Sequence, residues 1–129
     1  MIVRTTAEIT RTDRDVAADN WRSKRIVLAG DGVGFSFHET TIDSGSVHEF
    51  HYRHHVEAVW VVDGAGILTN LETGEDHPLR AGTMYLLDGH ERHRVTCYSQ
   101  LRMLCVFNPP VAGDEVHDET GAYPAPAHS

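Results

Sequence analysis

The chain has 129 residues, a formal net charge of −8, 40% hydrophobic and 23% charged residues. That length suits one domain with a modest core and excludes a second catalytic domain, while an acidic balance without a basic cluster argues against nucleic acid as a partner. The opening MIVRTTAEITRTDRDV has no apolar run long enough for a signal peptide or membrane span, and two cysteines, Cys97 and Cys105, make no disulfide framework, so a cytoplasmic address is expected.

Residues 2–9 alternate weakly and read as an edge strand; residues 10–20 are polar and read as a short helix or loop. Trp21 precedes an apolar strand over 26–29, and from position alone it reads as a core or contact residue. A Gly-Asp-Gly turn follows at 30–32. Residues 33–42, VGFSFHETTI, show a period of two: Phe35 and Phe37 share one face, and Ser36, His38 and Thr40 share the other. Inside a small barrel that polar row is a binding wall; on its outside it is a solvent face. The pattern supports the two equally.

Residues 45–64, GSVHEFHYRHHVEAVWVVDG, carry four histidines and two glutamates ahead of a β-branched, apolar strand that stops at Asp63-Gly64. Nitrogen and oxygen donors of this kind suit borderline divalent metals. The spacing Gly45, His51, Arg53, Glu57, Gly64 resembles the first cupin motif, G-x5-H-x-H-x3-E-x6-G, with arginine in place of the second histidine. The second motif, G-x5-P-x-G-x2-H-x3-N, falls on Gly82, Asp88, His90, His93 and Cys97, and only Gly82 and His93 match. Glu57 is the leading metal-ligand candidate, since a carboxylate among Val56, Ala58 and Val59 needs a metal or an arginine, such as Arg53 or Arg94. His93 is the second candidate, with His90 its rival in a turn. Tyr85 is either a third oxygen donor or a core tyrosine. His51, His54 and His55 cannot all be ligands.

Further along, 67–71 and 77–79 read as a hairpin about Thr73-Gly74. Residues 83–87 form a short strand with Thr83, Tyr85 and Leu87 on one face. His93, Val95 and Cys97 share a face of the next strand, and Met103, Cys105 and Phe107 a face of the last, over 101–107. Short strands at regular spacing imply an all-β barrel or sandwich, and the resemblance to the cupin motifs implies a jelly-roll-like cupin barrel with a short N-terminal segment. It spans residues 1–110. Residues 111–129, rich in Ala, Pro, Gly and acids, read as a mobile C-terminal tail or as a lid over the barrel mouth.

HYRHHVEAVWVVDGAG, GTMYLLDGHERH, LCVFNPP and the opening MIVR with Trp21 together resemble the ectoine synthase family, from residue 1 to about 123. That resemblance implies a carbon–oxygen lyase, closing the ring of N-γ-acetyl-L-2,4-diaminobutyrate with loss of water. It implies one divalent metal, Fe(II), held by Glu57, Tyr85 and His93, and a homodimer. It implies a substrate pocket of Trp21, Ser23, Arg25, Thr40, Tyr52, His55, Cys105 and Phe107, with Glu115 and His117 supplied by the C-terminal segment. Tyr52, His55 and Glu115 are the alternatives for the general base. His38 departs from the neutral amide expected in the polar row. A cupin dioxygenase and a non-catalytic small-ligand-binding cupin are the rival readings.

Overall fold

The computed structural model describes residues 1–113, 116–117 and 121–125. Its elements in chain order are a single helical turn α1 (Thr6–Ile9), then β1 (Asp15–Ala18), β2 (Trp21–Val27), a 3-10 turn (Ala29–Asp31), β3 (Ser36–Ile42), β4 (Val47–Phe50), β5 (Val56–Asn70), β6 (Asp76–Arg80), β7 (Met84–Leu87) and β8 (His93–Asn108). All the strands join one antiparallel sheet in the order β1-β2-β3-β8-β5-β6, with β4 on β8 and β7 on β5. The all-β expectation holds.

Two N-terminal expectations fail. Residues 6–9 are helical rather than extended, because Thr5 and Glu8 form a capping box: the Thr5 hydroxyl accepts the Glu8 N–H, and the Glu8 carboxylate accepts the Thr5 N–H. Residues 15–18, read as loop or helix, are a strand. Arg22 grips the Asp15 carboxylate across the β1–β2 ladder, and Val16 packs against the core.

Strand β8 is the spine. It pairs with β4 through residues 93–96 and with β3 through residues 101–107, while β5 runs along its other side from Val56↔Asn108 to Asn70↔His93. Sequence patterning divides each of these long strands in two. In β8 the exposed Tyr98, Ser99 and Gln100 imitate a turn. In β5 the Asp63-Gly64 pair marks a bulge inside a continuous strand, where the register slips three times between Val61 and Gly66. Gly64 has φ +100, and a Cβ there would stand 2.1 Å from the Gln100 carbonyl oxygen; a Cβ on Gly66 would stand 2.4 Å from that of Thr96. Only glycine allows the two backbones to meet so closely.

The bend in this ladder brings distant residues together. Glu57 pairs with Phe107 and His93 with Asn70, so the two lie at opposite ends of the β5–β8 ladder. Laid straight, such a ladder would hold them on the order of 45 Å apart at about 3.3 Å per residue. They line the same small cavity instead, because the ladder curls round the core.

The inward faces follow the period of two. Trp21, Ser23 and Arg25 on β2, Ser36, His38, Thr40 and Ile42 on β3, and Leu101, Met103, Cys105 and Phe107 on β8 are all buried. The polar row of β3 is thus the inner wall, and Phe35 is the exposed side. Register aligns these side chains across the sheet: Arg25 lies opposite His38, His38 opposite Cys105, Cys105 opposite Val59, and Val59 opposite Tyr85. Of the C-terminal segment, Val111, Ala122 and Tyr123 are buried. Gly121, at φ +78, presses so near β4 that a Cβ would lie 2.1 Å from the Glu49 carbonyl oxygen, and its own carbonyl accepts the His51 N–H at 2.9 Å. No helix among the described residues is long and apolar enough to cross a membrane.

Candidate active site

Glu57, Tyr85 and His93 come together at a cavity of about 20 Å³, walled also by Trp21, Thr40, Tyr52 and Cys105. Tyr85 reaches it because it faces Val59, the inward neighbour of Glu57, across the β5–β7 ladder. His93 opens β8, where its Nδ1 lies 3.0 Å from the Glu91 carbonyl oxygen. That bond requires a proton on Nδ1 and leaves Nε2 with its lone pair. Nε2 is buried and has no hydrogen-bond partner among the described residues. Burial also lowers the His93 pKa, which favours the neutral imidazole.

The carboxyl of Glu57 is buried in the same wall. Burial pushes its pKa up to about 8, and a hydrogen bond with the Cys105 thiol pulls only weakly the other way. The arginine alternative does not apply to Arg94, which pairs with Glu49 on the surface at 3.1 Å. Arg53, standing where the first cupin motif has its second histidine, is exposed. Burial raises the phenol of Tyr85 well above its ordinary range. Among the described residues no three His, Cys, Asp or Glu side chains form a ready ligand set. A site here needs the phenol oxygen as its third donor. The orphaned imidazole nitrogen, the desolvated carboxyl and a phenol on one cavity fit a divalent cation of borderline character.

The other histidines separate. His54 is exposed, and His51 does not line the cavity. His90 adopts φ +55 and directs Nδ1 at the carbonyl oxygens of Tyr52 (2.9 Å) and His55 (3.1 Å), so it staples the β4–β5 loop rather than facing a metal. His55 is buried with its ring edge-on to Phe107, centroids 5.7 Å apart.

An aromatic cluster roofs the cavity. The Tyr52 hydroxyl meets His117 Nε2, and the His117 ring stacks on Tyr123 at 4.3 Å and meets Trp21 edge-on at 4.9 Å. Tyr123 also packs against Tyr52 and Phe107. Arg25 is fully buried between Trp21 and Tyr123, 5.9 and 5.6 Å from their ring centres, and donates Nη1–H to the Gly113 carbonyl at 2.8 Å. Cys105 lies 3.5 Å from the Thr40 hydroxyl, and burial raises its thiol pKa, as for a small core hydrophobe rather than a nucleophile. Ser23 and Phe107 complete the buried wall. Glu115 lies outside the described residues. Sequence reasoning misses Tyr123 and Phe50; the signal available for Tyr123 is one bulky aromatic in an otherwise small-residue stretch.

The family model for ectoine synthase matches residues 1–127. The chain belongs to the ectoine synthase family. An L-ectoine synthase of Mycobacterium sp. strain KMS is 79% identical over 129 residues, covering all of both chains. The crystal structure of ectoine synthase from P. lautus superposes with a TM-score of 0.88 at 46% identity, over 94% of this chain and 87% of that one. A Cupin 2 conserved barrel protein from Salinispora arenicola shares the fold, with a TM-score of 0.65 at 21% identity over 83% of this chain and 87% of that one. The register that aligns Arg25, His38, Cys105, Val59 and Tyr85 is thus that of a cupin-type barrel.

Proposed function

We infer that this chain makes ectoine by closing the ring of N-γ-acetyl-L-2,4-diaminobutyrate, a hydro-lyase reaction. Membership of the ectoine synthase family carries the reading. The α-amine attacks the amide carbonyl carbon of the same molecule, a C–N bond forms, the C–O bond breaks, and both amine protons leave with the oxygen as water. Holding amine and carbonyl together supplies much of the acceleration.

Glu57, Tyr85 and His93 would hold one divalent cation, Fe(II) by family resemblance, and the buried Nε2 of His93 and the desolvated Glu57 support that assignment. When bound, the cation supplies Lewis-acid polarisation of the amide oxygen. Arg25 would take the substrate carboxylate, and Trp21, Phe107 and Thr40 would wall the chain of the substrate. Burial holds the Tyr52 phenol protonated, and its contact with His117 Nε2 gives a proton at Tyr52 Oη a path to the imidazole. His55 and Glu115 are the other candidates for the base. A cavity of about 20 Å³ admits an ion or a water rather than the substrate. The roof of His117 and Tyr123 must therefore open to admit substrate, and its closure keeps bulk water from the amide.

We take the enzyme to act in the cytoplasm as a homodimer. The exposed Met1, Ile2 and Val3, with Trp60, Met84 and Leu86, offer apolar surface for a second copy. The test of the activity is direct. Metal-loaded protein is mixed with the acetylated diamino acid and followed by NMR; cyclic amidine signals are expected, and their absence would sink the reading. The same sample after chelation tests the cation separately.

A further inference from the structure

His38 is fully buried on the inner wall, and both of its ring nitrogens are engaged. Nδ1 lies 3.1 Å from Ser23 Oγ, and Nε2 lies 2.9 Å from Ser36 Oγ. Each serine is held from its other side as well. Ser36 Oγ accepts the Val111 N–H at 2.9 Å, and Ser23 Oγ accepts the Arg25 Nε–H at 3.3 Å. Arg25 then donates Nη1–H to the Gly113 carbonyl. One hydrogen-bonded chain therefore leaves the C-terminal segment at Val111, crosses β3 and β2 through His38, and returns to the same segment two residues later.

Counting hydrogens limits what this chain can do. Burial keeps His38 neutral, with a pKa held down to about 3, so the ring has one donor and one acceptor. With the proton on Nε2, Ser36 Oγ accepts twice, Ser23 donates to Nδ1, and the spare hydroxyl proton sits on Ser36. With the proton on Nδ1, Ser36 donates to Nε2, Ser23 Oγ accepts twice, and the spare proton sits on Ser23. In either arrangement the spare proton sits on a fully buried serine with no further acceptor among the described residues. They differ in what a ligand can change: in the second the proton is on Ser23, beside the guanidinium of Arg25, where a bound carboxylate would supply the acceptor that Ser36 lacks.

We propose that His38 is a positioning residue for the substrate carboxylate: in the complex it carries its proton on Nδ1, so that Ser23 donates its hydroxyl proton to the carboxylate alongside Arg25. The ligand class selected at this end of the pocket is thus an anion with two acceptor oxygens. The proposal rests on the reading of Arg25 as carboxylate partner. An amide at this position reproduces the polarity, because Oδ1 accepts from Ser36 and Nδ2–H donates to Ser23; an aliphatic side chain does not.

The test compares H38N, H38L, S23A and the S23A/H38L double variant, each metal-loaded, with N-γ-acetyl-L-2,4-diaminobutyrate. H38L and S23A should each raise KM about tenfold, the size of one lost hydrogen bond to a charged group, with little change in kcat. H38N should return KM to within about threefold of wild type. The double variant should be no worse than either single one, because His38 acts only by holding the Ser23 hydroxyl in its donating orientation. Additive KM effects, or H38N behaving like H38L, would overturn the proposal. The wild type gives a second readout that survives misfolding of H38L: 15N shifts of the His38 ring with ligand bound should place the proton on Nδ1, and a proton on Nε2 overturns the proposal. Wild-type protein that binds the substrate but forms no cyclic product fails the ring-closure reading alone, and the tautomer measurement still decides the role of His38.

Discussion

The Tyr52 hydroxyl lies 2.6 Å from Nε2 of His117, joining the loop between β4 and β5 to the C-terminal segment. Trp21, Phe50 and Tyr123 surround the pair, so one polar bond is set inside an aromatic roof. Y52F removes the bond and keeps the ring. It should cost about 1–2 kcal/mol of stability, the range for a buried partner left unsatisfied, and lower kcat by roughly ten- to a hundredfold. Thermal melts and initial rates on the same preparation check both parts, and unchanged kcat would remove Tyr52 from proton transfer.

The cation assignment is tested by metal content. E57A and H93A should fall from about one metal per chain to near none, with circular dichroism showing the sheet intact. Y85F should hold metal more weakly, since it loses one of three donors. Full occupancy in Y85F would leave the phenol as a core group.

Two glycines predict different failures. In G64A the new Cβ meets the Gln100 carbonyl at a positive φ inside the longest ladder, and a loss of at least about 3 kcal/mol or an insoluble chain is expected. In G121A the clash is with Glu49 at the sheet's rim. That variant should fold, bind metal and lose turnover, because the displaced neighbour is Tyr123. Urea midpoints with rates separate the two cases, and equal effects on both quantities at both sites would contradict this division.

His38 gives a pH dependence with a definite sign. Its folded pKa, about 3, lies below the ordinary 6.5, so between these values the unfolded chain binds more protons. Its contribution is complete above about pH 6.5 and is lost as pH falls toward 3, at about 1.4 kcal/mol per unit. Between pH 7 and pH 5 wild type should therefore lose about 2 kcal/mol more than H38N. Urea unfolding at the two pH values measures the difference, and a pH-independent gap would mean that the imidazole is not buried in its neutral form.

How much of the fold and site is legible in the sequence depends on what each residue needs to be recognised. Glu57 and His93 are legible because they stand at cupin-motif distances from Gly64 and Gly82. The row Ser36, His38, Thr40 is visible as a row, but periodicity says which residues share a face and not which face is inside; that is decided by Phe107 and Cys105 across the sheet. Tyr123 is hidden by its surroundings, because a composition argument averages over a segment and a seat in the core depends on one ring. The strand over 15–18 joins β2 through a short ladder, the Asp15–Arg22 ion pair and the one half-buried apolar residue Val16, too little for an apolar pattern to report. Arg25 shows the limit most plainly: its neighbours Gly113 and Tyr123 lie about ninety or more positions away along the chain.

The position of β8 at the centre of the sheet has a consequence for how the molecule is made. As the ribosome delivers the chain, β3, β4 and β5 emerge before the strand to which all three bond. Until residue 108 clears the exit tunnel they have apolar faces and unpaired edges but no common partner, so the barrel assembles late and through contacts distant in sequence. The nascent chain should therefore depend on chaperones in proportion to the time it spends short of that last strand.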